Sequence, residues 1–376
     1  MSDLSPLSHE GSLWHKLQMV NWALVALITG VAGIGFLALY SAANGSMDPW
    51  ASRQMMRFGV GFAGMFVIAL INIRWWYKLS YPFYAIGILL LIVVEAMGNV
   101  GMGAQRWIDL GFIQLQPSEL MKIAMVMALA RYFHAATVED MRSLRFLLTP
   151  FIMVVLPFSL VLLQPDLGTG LMLAMASAAV VFVAGAPLLY FGIALGCVAA
   201  MAPVAWFMMH DYQKQRVLTF LNPESDPLGA GYHITQSKIA LGSGGIEGRG
   251  FLQGTQSHLN FLPEKQTDFI FTLWAEEWGL LGGLFLLILF GLIFLYGIWI
   301  AARCRHGYGR LLALGLIFNF SLYIFINVSM VMGLIPVVGA PLPLVSYGGT
   351  AMLAVLIGFG LIMSCSIHRD AKLPRM

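Results

Sequence analysis

Asp268 stands in Phe261-Leu262-Pro263-Glu264-Lys265-Gln266-Thr267-Asp268-Phe269, where a polar stretch runs into a long apolar one. Such a boundary puts a carboxylate between water and a poorly solvating bundle. Partial desolvation raises its proton affinity and equips it to take a proton from a hydroxyl. The same position suits a helix N-cap, a structural role open to Thr267 or Asp268. Other charged residues fall within or beside apolar runs, where each costs a few kcal/mol, of order 2 to 4, unless paired or wetted. Glu119 and Lys122, three residues apart, share one helical face and could pair with each other or line a cavity. Asp166, in Gln164-Pro165-Asp166-Leu167-Gly168-Thr169, has the place of a helix cap. Glu276 and Glu277 lie inside another apolar run, where Glu276 could reach a Lys or Arg elsewhere; Glu95 and Arg57 read as structural.

Two further patterns exclude chemistry more than they supply it. Gly242, Gly244, Gly245, Gly248, Gly250 and Gly254 form a cluster that fits neither a dinucleotide nor a Walker A pattern, and no nucleotide is implied. The expectation is a tightly turned loop lying against an extended ligand. Cys197, Cys304 and Cys365 form no C-x-x-C motif, so redox chemistry is not indicated.

The framework that must position these residues follows from composition. Of 376 residues, 21 are Lys or Arg and 18 are Asp or Glu, together 10%, against about 25% in ordinary globular chains. Too few polar side chains remain to cover a water-facing surface. A soluble enzyme, a disordered chain and a nucleic-acid binder are excluded, and a net charge of +3 calls for no polyanionic partner. The fold class is all-α polytopic membrane protein. A hydrocarbon core about 30 Å thick needs about 20 apolar helical residues per crossing. Runs at about 20 to 41, 55 to 71, 81 to 97, 118 to 133, 146 to 163, 168 to 184, 187 to 209, 269 to 300, 311 to 333 and 348 to 367 give ten transmembrane helices in a single domain spanning 1–376. The run from 269 is long enough to tilt or to begin with a non-spanning turn.

Orientation follows from Lys and Arg in the short loops. With the N-terminus inside, the cytoplasmic face carries Lys16, Arg74, Lys78, Arg131, Arg142, Arg145, Arg303, Arg305, Arg310, Arg369, Lys372 and Arg375, and the short outer loops carry Arg53, Arg57, Arg106 and Lys122. The tails 1–19 and 368–376 are then cytoplasmic, and the large 210–268 loop between the seventh and eighth helices is extracytoplasmic. Within that loop the residues from Tyr232 to Leu241 mix Ile234, Ile239 and Leu241 with Gln236 and Lys238, as a short helix on the membrane surface would.

Five stretches then carry a resemblance: Gly103-Ala104-Gln105-Arg106-Trp107-Ile108; Gln116-Pro117-Ser118-Glu119-Leu120 with Lys122; Gln164 to Thr169; Asn260 to Phe271; and Gly333-Leu334-Ile335-Pro336 through Pro341-Leu342-Pro343 to Ser346-Tyr347-Gly348-Gly349-Thr350. In this order they resemble the signatures of the SEDS family (shape, elongation, division and sporulation), nearer its elongation branch than its division branch. The similarity covers nearly the whole chain and is weakest in the first 19 residues.

The resemblance implies a peptidoglycan glycosyltransferase of the bacterial cytoplasmic membrane. Its substrate would be lipid II, the undecaprenyl-pyrophosphate-linked disaccharide pentapeptide, and its partner a class B penicillin-binding protein. By similarity, polymerisation depends on Asp268, and Trp107 matches another position important for activity. Lipid II carries an α-linked sugar and the polymer is β-1,4-linked, so a single inverting displacement needs one base and cationic help for the pyrophosphate. Asp268 suits the base. Arg106, Lys122, Arg216, Lys238 or Lys265 could neutralise pyrophosphate, with Glu119 and Asp166 beside them as substrate-binding candidates. An Mg²⁺ or Mn²⁺ could share that work through phosphate oxygens, and Asp268 could hold such an ion instead of taking the proton.

Two other classes fit some of these features. A lipid II flippase would use many spans and intramembrane charges, but alternating access calls for charged groups near the midplane, whereas here the polar chemistry gathers at one face. A non-catalytic scaffold would use the outer loops for docking and Asp268 as a cap. The charge asymmetry itself is testable. A reporter active only outside the cytoplasm is expected to be active when fused within Asn222 to Pro227 and silent after Arg375; the reverse pattern would invert the topology.

Overall fold

The computed structural model describes residues 13–97, 99–101, 104–109, 114–209, 211–222, 230–258 and 264–374. Gly103, Asn260 to Pro263 and Pro223 to Pro227, named above, lie outside them, as do residues 1–12 of the first tail and Arg375 of the last. A short helix α1 (Leu13–Gln18) precedes the bundle. Each apolar run then forms a helix: α2 (Trp22–Ala42), α3 (Ala51–Leu70), α4 (Ile73–Met97), α5 (Pro117–Tyr132), α6 (Leu144–Leu163), α7 (Leu167–Val183) and α8 (Leu188–Met208), followed by α12 (Ile270–Arg303), α13 (Gly307–Val331) and α14 (Gly349–Ile367). In lipid the backbone must satisfy its own polar groups, which is why apolar runs of this length become helices. Among the described residues, α2, α4, α6, α12, α13 and α14 are long and apolar enough to cross a membrane unaided, and α7 and the Leu188–Val204 part of α8 are shorter apolar helices.

The remaining two, α3 and α5, owe their place to packing. Helix α5 is buried around nearly its whole circumference, from Pro117 to Ala130, between α4, α7, α13 and α14. A helix hidden from lipid on all sides can carry Glu119 and Lys122, which an exposed span could not. Helix α3 lies along α14, where Gly61 faces Leu356 and Gly360 faces the Met65 carbonyl; a Cβ at either would come within 2.6 or 2.8 Å of its neighbour. Such small-residue contacts replace a hydrophobic driving force that lipid does not provide. Helices α6 and α8, by contrast, expose Phe151, Ile152, Leu195, Val198 and Phe207.

Two stretches expected as loops are ordered differently. Residues 99–115 make a small antiparallel sheet of β1 (Asn99–Gly101), β2 (Ala104–Asp109) and β3 (Gln114–Leu115), in that order. The 210–268 insertion is largely helical, with α9 (Asp211–Leu221), α10 (Ala230–Ser243) and α11 (Thr255–His258). Helix α10 covers the short helix anticipated near Tyr232 to Leu241 and packs on α12 and α13.

The glycine cluster does not wait for an extended ligand. It repairs a break in α12, where Gly279 leaves helical geometry (φ 65, ψ −162). The break removes the bonds that the amides of Leu280 and Leu281 would make to the carbonyls of Glu276 and Glu277. The loop takes up all four groups: Leu280 N donates to Gly245 O at 2.9 Å, Leu281 N to Ile246 O at 3.2 Å, and Glu276 O and Glu277 O accept from Arg249 N and Gly250 N at 3.0 Å each. This approach is so close that a Cβ on Gly248 would strike the Glu277 carbonyl and one on Gly279 would strike Gly248 N. The long run from 269 thus begins with a buried helical segment ahead of the span. Gly279→Ala is expected to cost about 2 kcal/mol or more through strain and collision and to lower the thermal midpoint in detergent by several degrees. Gly242→Ala, which meets open space, should stay within about 0.5 kcal/mol of wild type.

Candidate active site

Residues 264–269 form a tight turn that leads straight into α12, and Asp268 projects from it half-buried. Three consecutive carbonyls of this turn are held from outside. Gln266 O accepts from Tyr347 N at 2.8 Å, Thr267 O from the Ser346 hydroxyl at 2.6 Å, and Asp268 O from Asn327 Nδ2 at 2.8 Å. The Asn327 amide also donates to Ala340 O at 2.7 Å, and Ser346 Oγ accepts from Leu342 N at 2.7 Å. The Asp268 carboxylate is therefore presented by a backbone with little freedom of its own. The N-cap of α12 is Phe269, with no side-chain cap bond, so Asp268 does not occupy the cap position. Its Oδ2 lies 3.5 Å from where a Cβ on Gly339 would be, a position with φ +77. Glycine there leaves the carboxylate room.

Residues 333–347 gather the other elements around this carboxylate. Lys238 of α10 lies over Gly333, and Ser237 Oγ donates to Val331 O at 2.8 Å. Gly168, at the start of α7, packs on Val338. Gln54 of α3 donates to Ser346 O at 2.9 Å, and the Arg57 guanidinium sits 4.8 Å above the Tyr347 ring. Thr350 donates to Gln114 O at 2.6 Å, which ties β3 to the start of α14.

The candidate residues divide accordingly. Asp166 caps α7, accepting from Thr169 N at 3.2 Å and its hydroxyl at 2.8 Å, and lies 3.5 Å from the Nε of Arg106 on β2. Arg106 also donates to Pro165 O at 2.7 Å. Glu119 and Lys122 form an internal ion pair at 2.7 Å, with the Tyr323 hydroxyl 2.6 and 2.7 Å from the two carboxylate oxygens. Lys122 is 1% exposed and lies over the Tyr323 ring, and a cavity of about 30 Å³ adjoins the pair, room for about one water. Lys265 is 6% exposed and donates to Ser257 O at 2.8 Å; burial pulls its pKa below the usual lysine value. Trp107 pairs with Asn99 in the sheet and is half-buried. Arg216 is on α9, and its side chain lies outside the described set. Among the described residues Glu276 reaches no cation: its carboxylate accepts from Gln256 N at 2.8 Å and from the backbone and hydroxyl of Ser257 at 3.1 and 2.6 Å. Glu277 accepts from the Ser41 hydroxyl and Leu252 N.

Comparison with known proteins shows the family and the fold. A family model covering FtsW, RodA and SpoVE, described as cell cycle protein, matches residues 18–371. The chain belongs to this family, the SEDS proteins. It is 44% identical over 364 residues to the peptidoglycan glycosyltransferase MrdB of Escherichia coli K12, covering 95% of this chain and 96% of that one. It is 31% identical to the peptidoglycan glycosyltransferase RodA of Treponema pallidum, covering 93% and 98%. Among solved structures it matches a chain described under structural coordination of polymerization and crosslinking by a peptidoglycan synthase complex, with TM-score 0.82, 33% identity and coverage of 93% and 98%. The rod shape-determining protein RodA of Thermus thermophilus matches with TM-score 0.71, 29% identity and coverage of 94% and 98%. This SEDS protein is a multi-pass protein of the bacterial inner membrane and is most like RodA within the family.

Several positioning residues of this SEDS protein escape sequence reading. Asn327 is fully buried in α13, and its only sequence signal is a carboxamide inside an apolar run, which lipid would penalise. Arg57 reads as structural, yet it sits over Tyr347 with one Nη nitrogen buried and without a hydrogen-bond partner among the described residues. A 1 Å misplacement of a reacting group can cost about 100-fold in rate. Asn327→Leu, which frees two carbonyls, is therefore expected to slow glycan polymerisation about 10- to 100-fold in folded, purified protein, with substrate binding altered less than turnover.

Proposed function

We propose that this peptidoglycan glycosyltransferase of cell elongation polymerises lipid II by inverting transfer, with Asp268 as general base. The acceptor hydroxyl attacks the anomeric carbon of the donor sugar, the bond to pyrophosphate breaks, and the hydroxyl proton passes to the Asp268 carboxylate. The lipid pyrophosphate leaves. The observation that carries this reading is the clamped turn: three pinned carbonyls present a half-buried carboxylate that has no cap position to fill. A rigidly held carboxylate within reach of the acceptor hydroxyl is what general-base catalysis requires.

Lys238 and Arg106 are the cations this geometry favours for the pyrophosphate: Lys238 is exposed and lies over the segment that meets Asp268, and Arg106 retains partial exposure beside Asp166. Lys265, in the same turn as Asp268, is buried and bonded to the Ser257 carbonyl. Lys122 is less suited, because its charge is already matched by Glu119 inside the bundle. Trp107 offers an indole able to stack on a sugar ring from the sheet that Arg106 anchors. Among the described residues no three His, Cys, Asp or Glu side chains converge. An Mg²⁺ or Mn²⁺ would therefore be held mainly by the substrate's own phosphate oxygens. The face bearing α9 to α11 and Asp268 is extracytoplasmic in this reading, both termini are cytoplasmic, and a class B penicillin-binding protein is the partner.

Asp268→Asn keeps the size of the side chain and removes its basicity. It is expected to lose about 10²–10⁴-fold in polymerisation of purified lipid II with little change in thermal midpoint. Near wild-type polymer on a gel would place the base elsewhere. Adding chelator to the wild-type enzyme, then Mg²⁺ or Mn²⁺, separates the metal question: loss and recovery would show that a cation assists the leaving group, whereas unchanged activity would leave that work to Lys238 and Arg106.

A further inference from the structure

An open cavity lies at the far end of α12 from Asp268. It encloses about 700 Å³ between the start of α2 and the ends of α12 and α14, and Arg303 and Arg369 line it together with Trp22, Tyr296 and Trp299. Among the described residues no Asp or Glu lines it. The Arg303 guanidinium stacks on Trp299 at 3.9 Å from the ring centroid, which holds the charge at the rim. Arg369 shares Asp370 with Arg305, at 3.5 and 3.1 Å. Since Arg305 already answers Asp370, the two lining arginines leave the cavity net positive. The start of α2, capped by Asn21, adds the positive end of a helix dipole. Leu292 and Leu295, 40% and 60% exposed, continue the lining along the lipid-facing side of α12.

An anion with an apolar tail matches each of these features. We propose that this cavity binds an anionic phospholipid of the surrounding bilayer, its phosphodiester between Arg303 and Arg369 and one acyl chain along Leu292 and Leu295. A volume of this size suits a headgroup and glycerol backbone. Basic pockets between spans are established as sites for anionic headgroups, and two tryptophans and a tyrosine at the rim are the side chains that settle at the interface. The site is separate from the transfer chemistry at Asp268 and stands whether or not that assignment does.

Native mass spectrometry of the full chain, released from micelles containing phosphatidylglycerol or phosphatidylcholine with identical acyl chains, tests this directly. Each arginine near an anionic headgroup contributes enough that retention of phosphatidylglycerol is expected to exceed that of phosphatidylcholine at least tenfold. The Arg303→Gln/Arg369→Gln variant should lose that preference, the Arg303→Lys/Arg369→Lys variant should keep most of it, and Arg145→Gln, exposed on α6 and outside the cavity, should keep it whole. Equal retention of both lipids by the wild-type chain would overturn the proposal without reference to any variant. So would an Arg145→Gln effect as large as that of the cavity pair, which would mark general surface charge. Displacement of phosphatidylglycerol by millimolar inorganic phosphate would show a free-anion site and overturn the lipid assignment.

Discussion

A membrane protein that needs irregular backbone must find a partner for every peptide group it unwinds, because lipid offers none. The turn before α12 meets this constraint by lending three successive carbonyls to Tyr347, Ser346 and Asn327. Those bonds fix where Asp268 points. They also join the end of the 210–268 insertion to the segment between α13 and α14, parts of the chain far apart in sequence. Around this seam are arranged the start of α7, the amide of Gln54 and the guanidinium of Arg57.

A second irregularity lies three turns further on, where α12 breaks at Gly279 and the glycine loop replaces two lost helical bonds. Glu276 and Glu277 serve the same end, their carboxylates taking up amides of Leu252, Gln256 and Ser257. Ser257 in turn receives Lys265 on its carbonyl. The insertion is thus bonded to the helix on one side and to the turn that carries Asp268 on the other.

Much of this was legible in the residues. The ten apolar runs each became a helix, because hydropathy over about 20 residues reports the lipid requirement itself. Asp166 is the cap its spacing indicated, and Glu119 and Lys122 pair as three-residue spacing allows. The partner that completes that pair, Tyr323, lies 204 residues away, beyond the reach of local pattern. The sheet at 99–115 was hidden because strands of two to six residues carry little periodicity. The glycine cluster was read as facing a ligand, since glycine signals close approach without naming what approaches. Here the neighbour is the protein's own helix. Asp268 drew notice by its place at the water boundary, but its local pattern favoured a cap at Thr267 or Asp268 and only the family resemblance tipped it toward catalysis; the N-cap of α12 is Phe269.

The account turns on Asn327 acting through Asp268 and not on the bundle at large. A double-mutant cycle on polymerisation rate with purified lipid II measures that coupling, combining Asn327→Leu with Asp268→Asn. If the amide matters because it positions the base, the double variant should polymerise no more slowly than Asp268→Asn alone. Losses that multiply, with the double variant slower by the full Asn327→Leu factor, would show two independent roles and contradict the clamped turn as the origin of catalysis.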